Sequence, residues 1–237
     1  MPYLAQIHQT LPRLLALFDN DAASATYGMG DRFHWAWGLI DFGNGTFQGA
    51  ANGLARLLVE NLLPDSFTET HILKRIDSMF TAAGRLRRKD GSMEEAFPYE
   101  GSFCVTALVA YDLLTADELL NERLDAATKK RYLSTIQPMI NYLQHAEETH
   151  AFISNHLATA VAALFKWCEL TGDSSRNRAE EILGRIFSEQ SEEGWYREYE
   201  GADPGYQTLC SYYLADVMRM RGGADLKDSL VRSMRFL

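Results

Sequence analysis

Almost nothing in this chain alternates between apolar and polar residues at a period of two, which argues against a central sheet. No apolar run reaches the roughly 18–20 residues that carry a helix across a bilayer, so no membrane partner is expected. Cysteine is scarce. Cys104, Cys168 and Cys210 form an odd set without metal-type spacing, and each sits in an apolar helical pattern. They read as buried reduced thiols, and no metal or cofactor is expected. A zinc site built from Cys104, Cys210 and His156 is the weaker reading. Positive charge is also short: 23 Lys and Arg face 32 Asp and Glu, a net charge of −9. That balance argues against nucleic acid as a partner and is awkward for any polyanionic ligand. The N-terminus, MPYLAQIHQTLPRLL, lacks the basic start and small-residue cleavage site of a signal peptide. The sequence as it stands therefore reads as cytoplasmic, or as periplasmic if a leader was removed.

What is present is a succession of helices. Apolar residues recur at helical spacing over 3–18, 45–62, 67–87, 102–115, 124–147, 155–171, 174–190 and 205–220, with a last piece from about 225. Pro64, Gly172 and the Gly222–Gly223 pair supply stops, and Pro138 is a candidate bend. The links near 63–66, 116–123, 172–173 and 221–224 are short. Those near 19–44, 88–101 and 191–204 are long and aromatic, and 148–153 is intermediate. Paired as antiparallel hairpins, the helices place every long link at one end. Second helices then begin near 45, 102, 155 and 205, a period of about 50 residues, as in stacked helical hairpins. The YEG at Tyr99–Gly101 recurs at Tyr199–Gly201, each after a glycine, Gly91 or Gly194. The expected fold is all-α, an incomplete α/α toroid of antiparallel helical hairpins forming one domain over 1–237, truncated or minimal. Its functional rim carries the long loops.

Three rim segments stand out: GDRFHWAWGLIDFGNG, DGSMEEAFPYEG and EEGWYREYEGADPGYQ. Trp35, Trp37, Phe97, Tyr99, Trp195, Tyr196, Tyr199 and Tyr206 supply rings that can pack flat on the C–H faces of a sugar, though single rings also serve to plug gaps between hairpins. Asn155 and His156 stand at the head of one second helix. Asn155, or Ser154 before it, reads as an N-cap, with His156 an exposed first-turn residue. The same geometry lets an amide, an imidazole and unpaired N–H groups receive a carboxylate. In GADPGYQTL, Asp203 reads as an N-cap, Pro204 as the first helical residue, and Tyr206 as a first-turn residue at the same rim. A positive helix end and a nearby His would lower the Tyr206 hydroxyl toward proton-carrier range.

SNHLATAVAALF followed about 50 residues later by YEGADPGYQTL resembles the heparinase II/III-like and oligoalginate lyase families, most clearly over residues 90–220. These are polysaccharide lyases with an α/α toroid followed by β-sandwich modules. The resemblance implies that Asn155 and His156 neutralise a uronate carboxylate and that Tyr206 moves protons during β-elimination. It also implies an oligo- or polysaccharide partner, for which the rim offers Arg32, His34, Trp35, Trp37, Tyr99, Glu100, Trp195, Arg197 and Tyr199 as candidate contacts. The chain departs from the pattern in lacking the β-domain and in an acidic rim of Glu94, Glu95, Glu100, Glu192, Glu193, Glu198, Glu200 and Asp203. Arg32, His34 and Arg197 are its main cationic candidates. Two rival readings remain. One is a glycoside hydrolase using Glu100 with Glu200 or Asp203. The other is a non-catalytic saccharide-binding or assembly module. An amphipathic C-terminal segment, LKDSLVRSMRFL, is expected to mediate a homo-oligomer or docking of a missing β-domain.

Overall fold

The computed structural model describes residues 3–30, 44–95 and 100–237. These residues form nine α-helices: α1 (Leu4–Ala16), α2 (Ala50–Val59), α3 (Glu69–Leu86), α4 (Phe103–Leu119), α5 (Ala126–His145), α6 (Ser154–Thr171), α7 (Arg176–Ser188), α8 (Pro204–Arg221) and α9 (Ala224–Phe236). A short antiparallel ladder pairs β1 (Met93–Glu94) with β2 (Gly101–Ser102). The chain divides into two compact units, residues 1–139 and 140–237.

In the first unit, α2 packs against α3 and α4. The expected start near 45 is real, but its first five residues, Gly45–Gly49, form a 3-10 turn before the α-helix. Asn44 opens it, accepting a hydrogen bond from the Thr46 N–H at 3.0 Å. Helix α4 is buried nearly all round and runs to Leu119, past the expected end at 115, because Thr115, Ala116 and Asp117 continue its buried surface. The Phe80 ring stacks on Tyr132 at 3.5 Å between centroids, joining α3 to α5.

In the second unit, α6 is the central helix, with every residue from Leu157 to Trp167 buried. It packs against α7 and α8, and α9 packs on α8. Gly172 ends α6 in the left-handed conformation at φ 73°, as a glycine C-cap should. Helix α9 buries Leu226, Ser229 and Ser233. Val231 and Met234 on this helix and the terminal Leu237 are exposed to solvent. Between α8, α9 and the turn at 190–194 lies a buried polar web. Gln190 Nε2 donates to the Gly194 and Ser229 carbonyls at 3.0 Å each. Gln207 Nε2 donates to Ser233 Oγ at 2.7 Å, and Ser211 Oγ shares a 2.7 Å bond with the same oxygen.

The internal repeat is visible bond by bond in the loops at 88–95 and 191–198. Gly91 (φ 97°) and Gly194 (φ 101°) take the same left-handed turn. Two residues later a buried side chain follows, Met93 or Tyr196. The N–H of each donates at 2.8 Å to a side chain on the fourth residue of the next helix, Thr106 in α4 or Gln207 in α8. Two residues further on, the Glu95 N–H meets the Glu100 carbonyl at 3.0 Å and the Glu198 N–H meets that of Gly201 at 2.8 Å. By hydrogen bonding, Glu100 therefore matches Gly201, so the YEG letters fall one residue out of register.

Candidate active site

The site is built where α6 begins. Ile153, in extended backbone at φ −128° and ψ 96°, is the N-cap residue and offers no side-chain cap. The expected capping by Asn155 or Ser154 does not occur, because both residues are already helical and the loop at 197–198 takes that role. The Ser154 N–H and Oγ both donate to the Arg197 carbonyl, at 3.1 and 2.6 Å. The Asn155 N–H donates to Glu198 Oε1 and its Nδ2 to Glu198 Oε2, each at 2.8 Å. A carboxylate thus satisfies a helix-end N–H and sits at the positive pole of the dipole. Glu198 is only 5% exposed. Burial raises its pKa, and the two Asn155 bonds and the nearby His156 pull against that rise.

His156, third in the helix, faces a different carboxylate. Its Nδ1 lies 2.7 Å from Glu148 Oε2, and the Glu148 side chain is 3% exposed against 21% for His156. Glu148 Oε1 accepts the His150 N–H at 3.0 Å. Burial alone would raise the Glu148 pKa; the bonds from His156 and His150, with the imidazolium charge, hold it instead at about 2. An anionic Glu148 keeps the proton of a neutral imidazole on Nδ1 and leaves the Nε2 lone pair available.

The remaining candidates have other settings. Tyr206 lies in the first turn of α8, its N–H bonded to the Asp203 cap at 2.9 Å, as the sequence implied. Its ring is 46% exposed and lines an open groove of about 630 Å³ with Asp203, Gly205, Thr208, Leu209 and Tyr212. No hydrogen bond among the described residues joins it to Asn155 or His156. Tyr199 is 51% exposed and adopts φ 56°, rare for a residue with a Cβ. Its N–H is tied to the Phe152 carbonyl at 2.9 Å. Arg197, expected as a cation for substrate, spends its guanidinium on the Glu189 carboxylate at 2.7 Å and the Tyr199 carbonyl at 2.9 Å. Trp195 is half-buried with its indole N–H on Glu193 at 3.1 Å. Tyr196 is a buried plug whose hydroxyl meets Ser229 Oγ at 2.9 Å, and burial raises its pKa.

Glu100 is exposed in the first unit, and the Glu200 side chain is 96% exposed in the second. Arg32, His34, Trp35, Trp37, Phe97 and Tyr99 lie outside the described residues. Cys210 is buried, and burial raises its thiol pKa; Cys104 and Cys168 are half-buried. Among the described residues no three His, Cys, Asp or Glu groups gather as a metal site. No described helix is long and apolar enough to cross a membrane. Sequence reasoning missed Glu148 as the partner of His156 and treated Glu198 only as rim charge. The clue to Glu198 was the paired glutamates at 95 and 198 in the repeated loop.

No protein-family model matches the sequence, and comparison with curated proteins finds no match. Among solved structures, a cellobiose 2-epimerase from Bacillus thermoamylovorans B4167 superposes with a TM-score of 0.67 at 12% identity. The superposition covers 99% of this chain and 70% of that one. That protein is an α/α toroid. The chain is therefore all-α with the helical-hairpin fold of the α/α toroids.

Proposed function

We propose that this chain is a saccharide-acting enzyme in which His156 moves a proton at a sugar carbon next to a carbonyl or carboxyl group. The observation that carries the reading is the 2.7 Å contact between His156 Nδ1 and a buried, anionic Glu148. A carboxylate that fixes the tautomer and stabilises the imidazolium is the arrangement that makes a histidine an effective base. General base catalysis of this kind contributes roughly 10²–10⁴ in rate. The exposed rings of Tyr199 and Tyr206 supply sugar-stacking surface in the same unit. The fold shared with a cellobiose 2-epimerase supports a saccharide as the substrate.

Two reactions begin with this proton transfer. Return of the proton to the opposite face inverts the carbon; expulsion of the oxygen at the next carbon is β-elimination. Glu198, already bonded to both Asn155 donors, favours the first; the second is the reading of a lyase acting on uronic-acid glycans, with Asn155 and His156 at the start of α6 and Tyr206 at the start of α8. There Asn155 and His156 would hold the carboxylate and Tyr206 would pass the proton to the leaving oxygen.

The test is incubation in deuterated water with reducing oligosaccharides and with uronate polymers. Deuterium entering the carbon next to the carbonyl, lost in His156→Ala, is the expected result. A rise in ultraviolet absorbance from a new double bond selects elimination. New reducing ends without that rise would point to a hydrolase. Binding without any exchange would leave a non-catalytic saccharide module.

A further inference from the structure

We infer that Glu198 is a specificity-determining residue: its own carboxylate fills the seat that a substrate carboxylate would need, so the substrate is a neutral saccharide and not a uronate. The inference rests on the saccharide reading above and names the substrate class of that site. The groups suited to receive a uronate at the head of α6 are the Asn155 N–H and the Asn155 side-chain amide. Glu198 takes both, one with each oxygen, at 2.8 Å. The seat is a built one. Glu198 is 5% exposed, so its carboxylate is packed in place and not a loose surface charge.

The backbone holds that carboxylate from both sides. The Glu198 N–H donates to the Gly201 carbonyl at 2.8 Å, and the Gly201 N–H returns a bond to the Glu198 carbonyl at 3.1 Å. One residue earlier, the Arg197 carbonyl takes both Ser154 donors; one residue later, the Tyr199 N–H is bound to Phe152. Moving Glu198 aside therefore breaks a strap that joins 152–155 to 197–201. A uronate would have to break the strap or approach as a second anion. Glu148, in contact with His156, adds a further negative charge. Asp203, which faces Glu198 electrostatically, adds another. The guanidinium of the neighbouring residue, Arg197, is paired with Glu189 at 2.7 Å and offers no compensation. A neutral sugar meets none of this repulsion and still finds the His156 Nε2 lone pair.

Two measurements test the assignment separately from the reading beneath it. The first uses thermal unfolding of the parent and of Glu198→Ala with acetate or D-glucuronate as added anion. Emptying the seat should let the small carboxylate bind, so the variant's melting temperature rises with anion while the parent's does not. Equal response of parent and variant overturns the seat, whatever the activity. Should Glu198→Ala fail to fold, Glu198→Gln, which keeps the shape and loses the charge, should bind D-glucuronate about 10-fold more tightly than the parent; no gain overturns the inference. The second compares deuterium exchange by the parent on neutral reducing disaccharides and on their uronate counterparts. A preference for neutral sugars of roughly 100-fold or more in kcat/KM is expected. Equal or faster exchange on uronates overturns the inference and leaves the proton-transfer reading standing. Exchange on neither class sinks that reading, and with it the substrate class named here.

Discussion

The helix starts at Gly45 and Ser154 lie against the same part of a repeated loop, and they are capped in opposite ways. In the first unit the cap is local and neutral: Asn44 bonds the Thr46 N–H with its own side chain. A Cβ on Gly45 would lie 2.3 Å from the Glu94 carbonyl oxygen, so the loop crosses close above it. In the second unit no nearby side chain caps the helix. The loop provides the Arg197 carbonyl, the counterpart of Glu94, and then the Glu198 carboxylate. A local cap ends a helix and does nothing more. A borrowed, charged cap also sets the electrostatics beside the next residue, here His156. Repetition of the backbone design therefore left one helix head with a local neutral cap and the other with a borrowed charged one.

This contrast can be broken by experiment, first through activity. Glu148→Gln should lower proton exchange by roughly 10²–10⁴, because an amide no longer holds the imidazole in its productive tautomer. Asp112→Asn, in the first unit, should change it less than about 2-fold. Parallel assays of the two variants check this; equal losses would remove the distinction between the units.

A smaller effect is expected on stability. Glu198→Ala leaves two donors at the head of α6 without their acceptor and should cost about 2–4 kcal/mol. Asn44→Ala removes an ordinary cap and should cost about 1 kcal/mol. Urea unfolding of the two variants ranks them.

Glu148 in the second unit and Asp112 and Asp117 in the first should also respond to pH in opposite directions. Glu148 has its pKa lowered to about 2, so the stability it contributes is present above its unfolded value of 4.5 and is lost as pH falls toward 2. In the first unit, burial raises Asp112 to about 7, against bonds from Asn52 and the charge of Arg56. Burial likewise raises Asp117 to about 6, and its Oδ1 has no hydrogen-bond partner among the described residues. These groups bind protons more tightly when folded, so the stability they contribute is full below pH 3.8 and is lost as pH rises through about 6 and 7. Asp112→Asn should flatten the loss on the alkaline side, and Glu148→Gln the loss on the acid side. Thermal melts across pH 2–8 resolve the two.

The smallest effect concerns Tyr199. Its φ of 56° carries strain of order 1 kcal/mol, which Tyr199→Gly relieves. The variant should gain up to about that much stability, less the added freedom of its unfolded chain, and should bind saccharide more weakly. Calorimetry of both properties checks it.

How much of this was legible in the sequence follows from the range of each signal. The helix starts at 45, 155 and 205 are found within a residue of Gly45, Ser154 and Pro204, because apolar periodicity and Asp203–Pro204 capping chemistry are local. The Asp203 cap on Tyr206 follows from three consecutive letters. The partners of Asn155 and Arg197 do not. Glu198 lies 43 residues from Asn155 along the chain, and nothing periodic announces a contact at that separation. A sequence shows that Arg197 is charged without showing that Glu189 neutralises it. It shows that Tyr196 is aromatic without showing that the ring points inward. The β1–β2 ladder, two residues per strand, is too short to leave an alternation.

The polar web under α9 has a consequence for motion. Gln190 and Gln207 each bond both the Gly194 carbonyl and a group on α9. The terminal helix and the turn preceding Glu198 therefore share acceptors and should open as one cooperative piece. Loosening α9 should speed amide exchange at Trp195, Tyr196 and Glu198 together. The last helix thus acts as a brake on the loop, setting how often the head of α6 is momentarily bare.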